Sequence, residues 1–127
     1  MTRANSLRVM VVDDDPDVGD ALTDLLDLLG HTPALARGGA EALALAKRFA
    51  PDVVLCDLTL PVTDGYAVAR ALRQDPLTAG SELVAVSGHS TPDVADEVRA
   101  AGFDCHLPKP FGIDELHRLL GAVRIAS

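Results

Sequence analysis

The chain has 127 residues, with 19 Asp and Glu against 11 Lys and Arg, for a formal net charge of -8. That length fits one domain of the usual size of about 100 to 200 residues, and the acidic balance disfavours direct binding to nucleic acid phosphates. Hydrophobic residues make up 48% of it but aromatic ones only 3%, so the core must be built from Leu, Val and Ala, which suits a parallel sheet covered by helices. No stretch approaches about 18 continuous apolar residues, and Met1 to Ser6 carries no apolar run, which argues against membrane spanning and secretion.

In chain order, Leu7 to Val12 reads as strand one and ends on Asp13-Asp14-Asp15-Pro16. Asp15 suits the cap of the following helix, with Pro16 at its first position. Helix one places Val18, Ala21, Leu22, Leu25, Leu26 and Leu29 inward and Asp17, Asp20, Asp24 and Asp27 toward solvent, and Gly30 stops it. Thr32 to Ala36 is a weakly marked strand two. Gly38-Gly39 leads into helix two, with Ala42, Leu45 or Ala46, and Phe49 as its apolar stripe before Pro51.

Val53 to Asp57 is the central strand: four apolar residues ending on a carboxylate, too short for a helix between Pro51 and the Pro61 to Gly65 turn. After Gly65, helix three runs to about Gln74, with Val68, Ala71 and Leu72 inward. Ser81 to Val86 is strand four, ending on Ser87-Gly88-His89-Ser90, and Thr91-Pro92 opens helix four, which Gly102 closes. Phe103 to Leu107 is strand five, before Pro108-Lys109-Pro110-Phe111. Helix five turns Ile113, Leu116, Leu119 or Leu120, and Val123 inward and reaches the chain end.

Five repeats of strand then helix, joined by right-handed crossovers, predict one α/β domain over residues 1–127 with its core at about 7–124. The expected architecture is a three-layer, doubly wound, five-stranded parallel sheet of flavodoxin-like order 2-1-3-4-5. Its switch point lies between strands one and three, the two that end in carboxylates. Asp13, Asp14, Asp57, Ser87 and Lys109 all follow carboxyl ends of strands, and in a parallel sheet those ends share one rim. Three carboxylates there repel one another unless a cation joins them. A hard ion with oxygen ligands, Mg²⁺ above all, meets that need, and Lys109 adds a second positive charge. A carboxylate nucleophile surrounded by cations and a hydroxyl is what an aspartyl phosphate requires.

Four pieces in this order resemble the receiver domain of two-component response regulators: Val11-Val12-Asp13-Asp14-Asp15-Pro16, Cys56-Asp57-Leu58-Thr59-Leu60-Pro61-Val62-Thr63-Asp64-Gly65, Ala85-Val86-Ser87-Gly88 and Lys109-Pro110-Phe111. The resemblance implies that Asp57 is the phosphoacceptor for a sensor histidine kinase or a histidine phosphotransfer protein. It implies Mg²⁺ held by Asp14, Asp57 and the Thr59 backbone carbonyl, with Asp13 acting through a metal-bound water, and Ser87 and Lys109 contacting the phosphoryl group. Such a domain is not a turnover enzyme, beyond its own phosphorylation and dephosphorylation, and its output is contact with a downstream protein through helix four, strand five and helix five. The resemblance implies a cis peptide at Lys109-Pro110, while the two cysteines, read as reduced, point to a cytoplasmic setting, and the acidic balance and the lack of a long apolar run point to no direct nucleic acid contact and no membrane.

His106 stands where receivers usually carry Tyr or Phe that turns inward as the Ser or Thr moves. Ser87 and His106 are therefore the switch candidates, with a half-exposed strand residue as the bland alternative for His106. Gly102 to Leu107 is similar to receivers associated with hybrid kinases, which favours a phosphorelay role. Plainer roles suit the remaining polar residues: Asp64 as a loop and cap residue, His31 and His117 as surface residues, and Cys56 and Cys105 as reduced thiols in apolar strands. The rival reading is an aspartate-nucleophile phosphohydrolase of the haloacid dehalogenase type using Asp13 in Asp13-Asp14-Asp15, which leaves Asp57 without a role. A flavin module lacks its Ser/Thr/Gly-rich phosphate loop here.

Overall fold

The computed structural model describes residues 6–60, 64–88 and 92–123. Strands and helices alternate: β1 (Arg8–Val12), α1 (Pro16–Leu28), β2 (Thr32–Ala36), α2 (Gly39–Phe49), β3 (Val53–Asp57), α3 (Gly65–Gln74), β4 (Glu82–Ser87), α4 (Pro92–Ala101), β5 (Cys105–Pro108) and α5 (Ile113–Gly121). All strand pairs are parallel, in the order β2-β1-β3-β4-β5. The three central strands are apolar between their ends, at Val9–Val12, Val53–Cys56 and Leu83–Val86, because both of their faces are covered there.

Alternation along the strands divides the core in two. Met10, Val12, Val54, Cys56, Leu83 and Ala85 meet Ala42 and Ala46 of α2, Val68, Ala69 and Leu72 of α3, and Val98 and Ala101 of α4. On the other face, Val9, Val11, Val53, Leu55, Val84, Val86 and Leu107 meet Leu22 and Leu26 of α1 and Leu116 and Leu120 of α5. The aliphatic composition thus fills two thin layers rather than one wide core.

Helix ends follow local chemistry. Asp15 Oδ1 accepts from the Asp17 and Val18 amides, and Asp64 Oδ1 accepts from Ala67 N–H, so both serve as side-chain caps. Gly30 (φ 92°) and Gly102 (φ 107°) end α1 and α4 in left-handed turns. In each turn the glycine amide bonds back three residues and the next amide bonds back five: Gly30 to Asp27 and His31 to Leu26, Gly102 to Arg99 and Phe103 to Val98.

Several expectations are corrected. Strand one begins at Arg8, strand four runs one residue further to Ser87, and strand five starts at Cys105 and extends to Pro108. Ala21 is exposed, and its expected place on the inner face of α1 belongs to Gly19, which backs onto Leu35 so closely that a Cβ would lie 2.9 Å from Leu35 Cδ1. Ile113 is 42% exposed, because it is the first residue of α5, just off the strand ends. Helix five stops at Gly121 rather than at the chain end, and Ala69 joins Val68 and Leu72 in the core. His31, expected at the surface, is buried: the turn at Gly30 folds it back toward Leu26, and its Nδ1 accepts from Leu7 N–H. Cys105 is only half-buried, since β5 is an edge strand, and both cysteines are free thiols. The predicted cap Thr91 lies outside the described residues.

Candidate functional site

The register sets the rim. Val12 pairs with Cys56 and Asp57 pairs with Val86, so Asp13, the residue after Val12, stands level with Asp57 across the gap between β1 and β3. Ser87 pairs with Pro108, which places Lys109 just beyond it on the neighbouring strand. One carboxylate oxygen from each of Asp13, Asp14 and Asp57 lies within 4.8 Å of the other two. The Lys109 Nζ is 3.7 Å from Asp13 Oδ2 and 3.7 Å from Asp57 Oδ2. All five residues singled out from the sequence are therefore at one end of the sheet.

Each side chain is held by its own element. Asp13 is 3% exposed, and its Oδ1 accepts from Asp15 N–H at 2.9 Å. Burial pushes the Asp13 carboxyl above the ordinary range, and the Asp57 and Asp14 charges add to that, while the Asp15 amide and Lys109 oppose it. Asp57 is half-buried, and its Oδ1 accepts from Thr59 N–H at 3.0 Å, which fixes the Thr59 peptide beside it. Asp14 is exposed and stands at the mouth.

Gly65 closes the return of the chain after β3: its N–H donates to Leu58 O, and a Cβ there would sit 2.5 Å from Asp57 O. Only glycine fits against the strand end that carries Asp57. Ser87 is buried, and its carbonyl accepts from Lys109 N–H at 2.8 Å. Lys109 is followed by a cis peptide to Pro110, as expected, and its side chain turns back over the rim. Cys56, next to Asp57, donates its thiol to the Asp57 carbonyl, and burial pushes that thiol up to about 12, which keeps it inert. His106 is half-buried on β5, and its Nε2 is buried with no hydrogen-bond partner among the described residues.

The donors available are hard oxygens, three of them converging and one exposed to solvent. That set fits Mg²⁺, which keeps most of its waters and takes one or two carboxylates, better than a soft or fully enclosed ion. Pro61, Val62 and Thr63, part of the expected motif, lie outside the described residues, as do His89, Ser90 and Thr91.

The family profile for the response regulator receiver domain matches residues 9–121. The chain belongs to the response regulator receiver domain family. This receiver domain is 32% identical over 111 residues to the DNA-binding dual master transcriptional regulator RpaA of Synechocystis, a match that covers 86% of the chain and 45% of that protein. It is 38% identical over 112 residues to the response regulator MprA of Mycobacterium sp. strain KMS, covering 87% of the chain and 47% of MprA. The chain thus spans about half the length of the curated relatives it matches.

Among solved structures, chemotaxis protein CheY4 of Vibrio cholerae superposes with a TM-score of 0.89 at 27% identity, covering 94% of this chain and 99% of that one. The receiver domain of the sensor histidine kinase PA1611 from Pseudomonas aeruginosa PAO1 gives 0.85 at 28% identity over 93% and 97%, and holds a magnesium ion in its active site cleft. Family membership disfavours the phosphohydrolase reading through Asp13, since the residue that reading leaves idle, Asp57, shares the rim with Asp13, Asp14 and Lys109. It also identifies the protein as a component of two-component signalling. Among the described residues no helix is long and apolar enough to cross a membrane.

Proposed function

We propose that this receiver domain accepts a phosphoryl group on Asp57 from a phosphohistidine of a sensor kinase or phosphotransfer protein, with Mg²⁺ bound at Asp14, Asp57 and the Thr59 carbonyl. The observation that carries the reading is the convergence of Asp13, Asp14 and Asp57 with Lys109 Nζ equidistant from two of them. We assign Asp57 as the acceptor because its side chain, 13% exposed against 4% for Asp13, is reachable from solvent, while its backbone is fixed by the strand and by Gly65. Bound Mg²⁺ supplies positive charge for the phosphoryl oxygens. Asp14, at the mouth, would hold the ion directly, and Asp13, deeper, would hold it through a water. Lys109 offers the second cation: in the resting site it pairs with Asp57, and on phosphorylation its ammonium follows the charge onto the phosphoryl oxygens. Ser87, on the adjacent strand end, offers a hydroxyl to the same group.

A protein donor has a place to bind beside this rim. A groove of about 440 Å³ is lined by Val18 and Leu22 of α1 and by Lys109, Pro110 and Phe111, which puts apolar surface next to the reacting carboxylate. The output side is the surface of α4, β5 and α5, reached through Ser87 and His106. We assign the downstream target as a protein and the setting as the cytoplasm. The chemistry of the chain is confined to its own acyl phosphate, so it is not a turnover enzyme.

Incubation with a small acyl phosphate and Mg²⁺ is expected to give an alkali-labile phosphoryl label on the wild type and none on Asp57→Asn. Asp14→Asn should need far more Mg²⁺ for the same labelling, and Lys109→Ala should bind Mg²⁺ and label poorly. Equal labelling of Asp57→Asn would place the acceptor elsewhere. Labelling abolished in Asp13→Asn but intact in Asp57→Asn would favour a phosphohydrolase.

A further inference from the structure

Charges at the end of the sheet opposite the rim are unevenly matched. Arg73, in the last turn of α3, donates from Nε to Gly102 O at 2.8 Å and from Nη1 to Ala79 O and Ser81 O, each at 2.7 Å. Its Nη2 pairs with Asp104 Oδ2, which also accepts from Leu83 N–H at 2.8 Å. Four acceptors thus hold this guanidinium, and none of them is Glu82, the first residue of β4. The Glu82 carboxyl is half-buried and has no hydrogen bond or ion pair among the described residues. Burial pushes its pKa up and the Asp104 charge adds to that, while Arg73 opposes it. A carboxylate in that position is short of a cation.

Glu82 also faces open space. Alternation along β4 turns Leu83 toward α3 and α4 and Val84 toward α1 and α5, so Glu82 lies on the α5 side of the sheet. A cavity of about 510 Å³ there is walled by Glu82 and Cys105 on the sheet and by Leu119, Ala122 and Val123 of α5 and its end, with Glu115 and Arg118 at its exposed edge. Small-molecule sites span about 300 to 1,000 Å³. Burial, with Glu82 and Asp104 adding to it, pushes the Cys105 thiol up to about 11, so that wall carries no charge of its own. Glu115 caps the start of α5 through the Gly112 amide, and its charge is balanced by the Arg118 charge along the same edge. Glu82 is left as the unbalanced charge. Ala122 and Val123 bring the C-terminal end of α5, the negative end of its dipole, to the same cavity.

We propose that this cavity is a binding site for a small organic cation, an amine whose ammonium meets Glu82 and whose apolar body lies against Cys105, Leu119 and Val123. Charge and shape select that class. An anion is repelled by Glu82 and by the end of α5. A neutral molecule gains the apolar contact but leaves the Glu82 charge unmatched. A metal ion finds one free carboxylate here, since Arg73 holds Asp104, and among the described residues three metal-ligating groups converge only at Asp13, Asp14 and Asp57. A hydrated ion also gains nothing from an apolar wall. The site lies at the opposite end of the sheet from Asp57 and does not depend on the phosphoacceptor reading.

Titration with 2-phenylethylamine, protonated at neutral pH, and with its uncharged counterpart 2-phenylethanol tests this, with backbone amide chemical shifts as the readout and Mg²⁺ present to occupy the rim. Saturable shifts are expected at Glu82, Cys105, Leu119 and Val123, with the amine binding about fivefold more tightly than the alcohol and phenylacetate binding at neither end of the cavity. Glu82→Gln keeps the shape and should erase the preference for the amine. Ala122→Trp fills the cavity from the exposed end of the helix and should weaken both ligands; if that variant does not fold, Glu82→Gln decides alone. Absence of saturable shifts at these amides, equal affinity for amine and alcohol, or a preference for the amine that survives Glu82→Gln would each overturn the site. Shifts at Asp13, Asp14 and Asp57 in place of these would assign the amine to the acidic rim and overturn it as well.

Discussion

At the scale of single residues, His31 shows how a neutral side chain is written into the fold. Its Nδ1 must keep a lone pair to accept the Leu7 amide, so the buried ring is neutral. Burial, with His117 adding repulsion, holds its pKa below the ordinary 6.5. The unfolded chain therefore binds a proton more readily than the folded one. The His31 contribution is fully present above about pH 6.5 and is lost as pH falls from there through the lower folded pKa. Chemical denaturation at pH 7.5 and pH 5 should show a loss of stability in the wild type that is smaller in His31→Gln; an equal loss in both would assign it to other groups. Gly65 makes a sharper test. A methyl group at 2.5 Å from the Asp57 carbonyl cannot be relieved by moving a flexible side chain. Gly65→Ala is expected to cost about 1 to 3 kcal/mol in urea denaturation and to lower Mg²⁺ affinity by displacing Asp57.

At the scale of elements, the C-terminal end of α2 is held by a left-handed turn and by Arg8. Ala50, the residue that follows it, takes φ 52°, donates its N–H to Ala46 O at 2.9 Å and precedes Pro51. Arg8 supports the same end, with Nε donating to Phe49 O at 2.7 Å and its guanidinium 4.3 Å from the centre of the Phe49 ring. An L-residue in the left-handed region costs about 1 to 2 kcal/mol, and Gly30 and Gly102 avoid that cost at the corresponding places in α1 and α4. Ala50→Gly should therefore raise the denaturation midpoint, by an amount equivalent to about 1 kcal/mol. A drop in midpoint would mean that the Ala50 methyl packs better than its exposed position suggests.

At the scale of the molecule, the rim trades stability for chemistry. Three carboxylates converge, Lys109 pairs with only Asp13 and Asp57 among them, and Asp13 is desolvated as well. A ligand that binds only the folded state stabilises it, and at ten times its dissociation constant Mg²⁺ should add about 1.4 kcal/mol. Thermal unfolding with and without Mg²⁺ should show a rise of a few degrees that chelation reverses. Asp14→Asn should abolish most of that rise while unfolding at least as high as the wild type without Mg²⁺, since one repelling charge is gone. A rise that survives in Asp14→Asn would move the metal away from the proposed ligands.

The order of strands and helices, the two-sided burial of the central strands and the common rim of Asp13, Asp14, Asp57, Ser87 and Lys109 were legible in the chain itself. Parallel α/β topology forces strand ends to one side, and apolar runs between Gly and Pro mark the strands without knowledge of their neighbours. Local capping was equally readable at Asp15, Pro16 and Asp64, because a cap is a contact between near residues. What sequence alone misplaced were properties set by partners far along the chain. Ala21 and Ile113 were expected inside because helical period fixes a face but not where the sheet ends beneath it. His31 was read as a surface residue although Gly30 before it is a signal for a turn that folds the next residue inward. Arg73 carried no local sequence signal: three of its four acceptors are backbone carbonyls, at Ala79, Ser81 and Gly102, which any residue type supplies, and the fourth, the Asp104 carboxylate, lies far along the chain. The distances at the rim, too, belong to the tertiary structure. Sequence order names the five residues, but only strand register brings Lys109 within 3.7 Å of both Asp13 and Asp57.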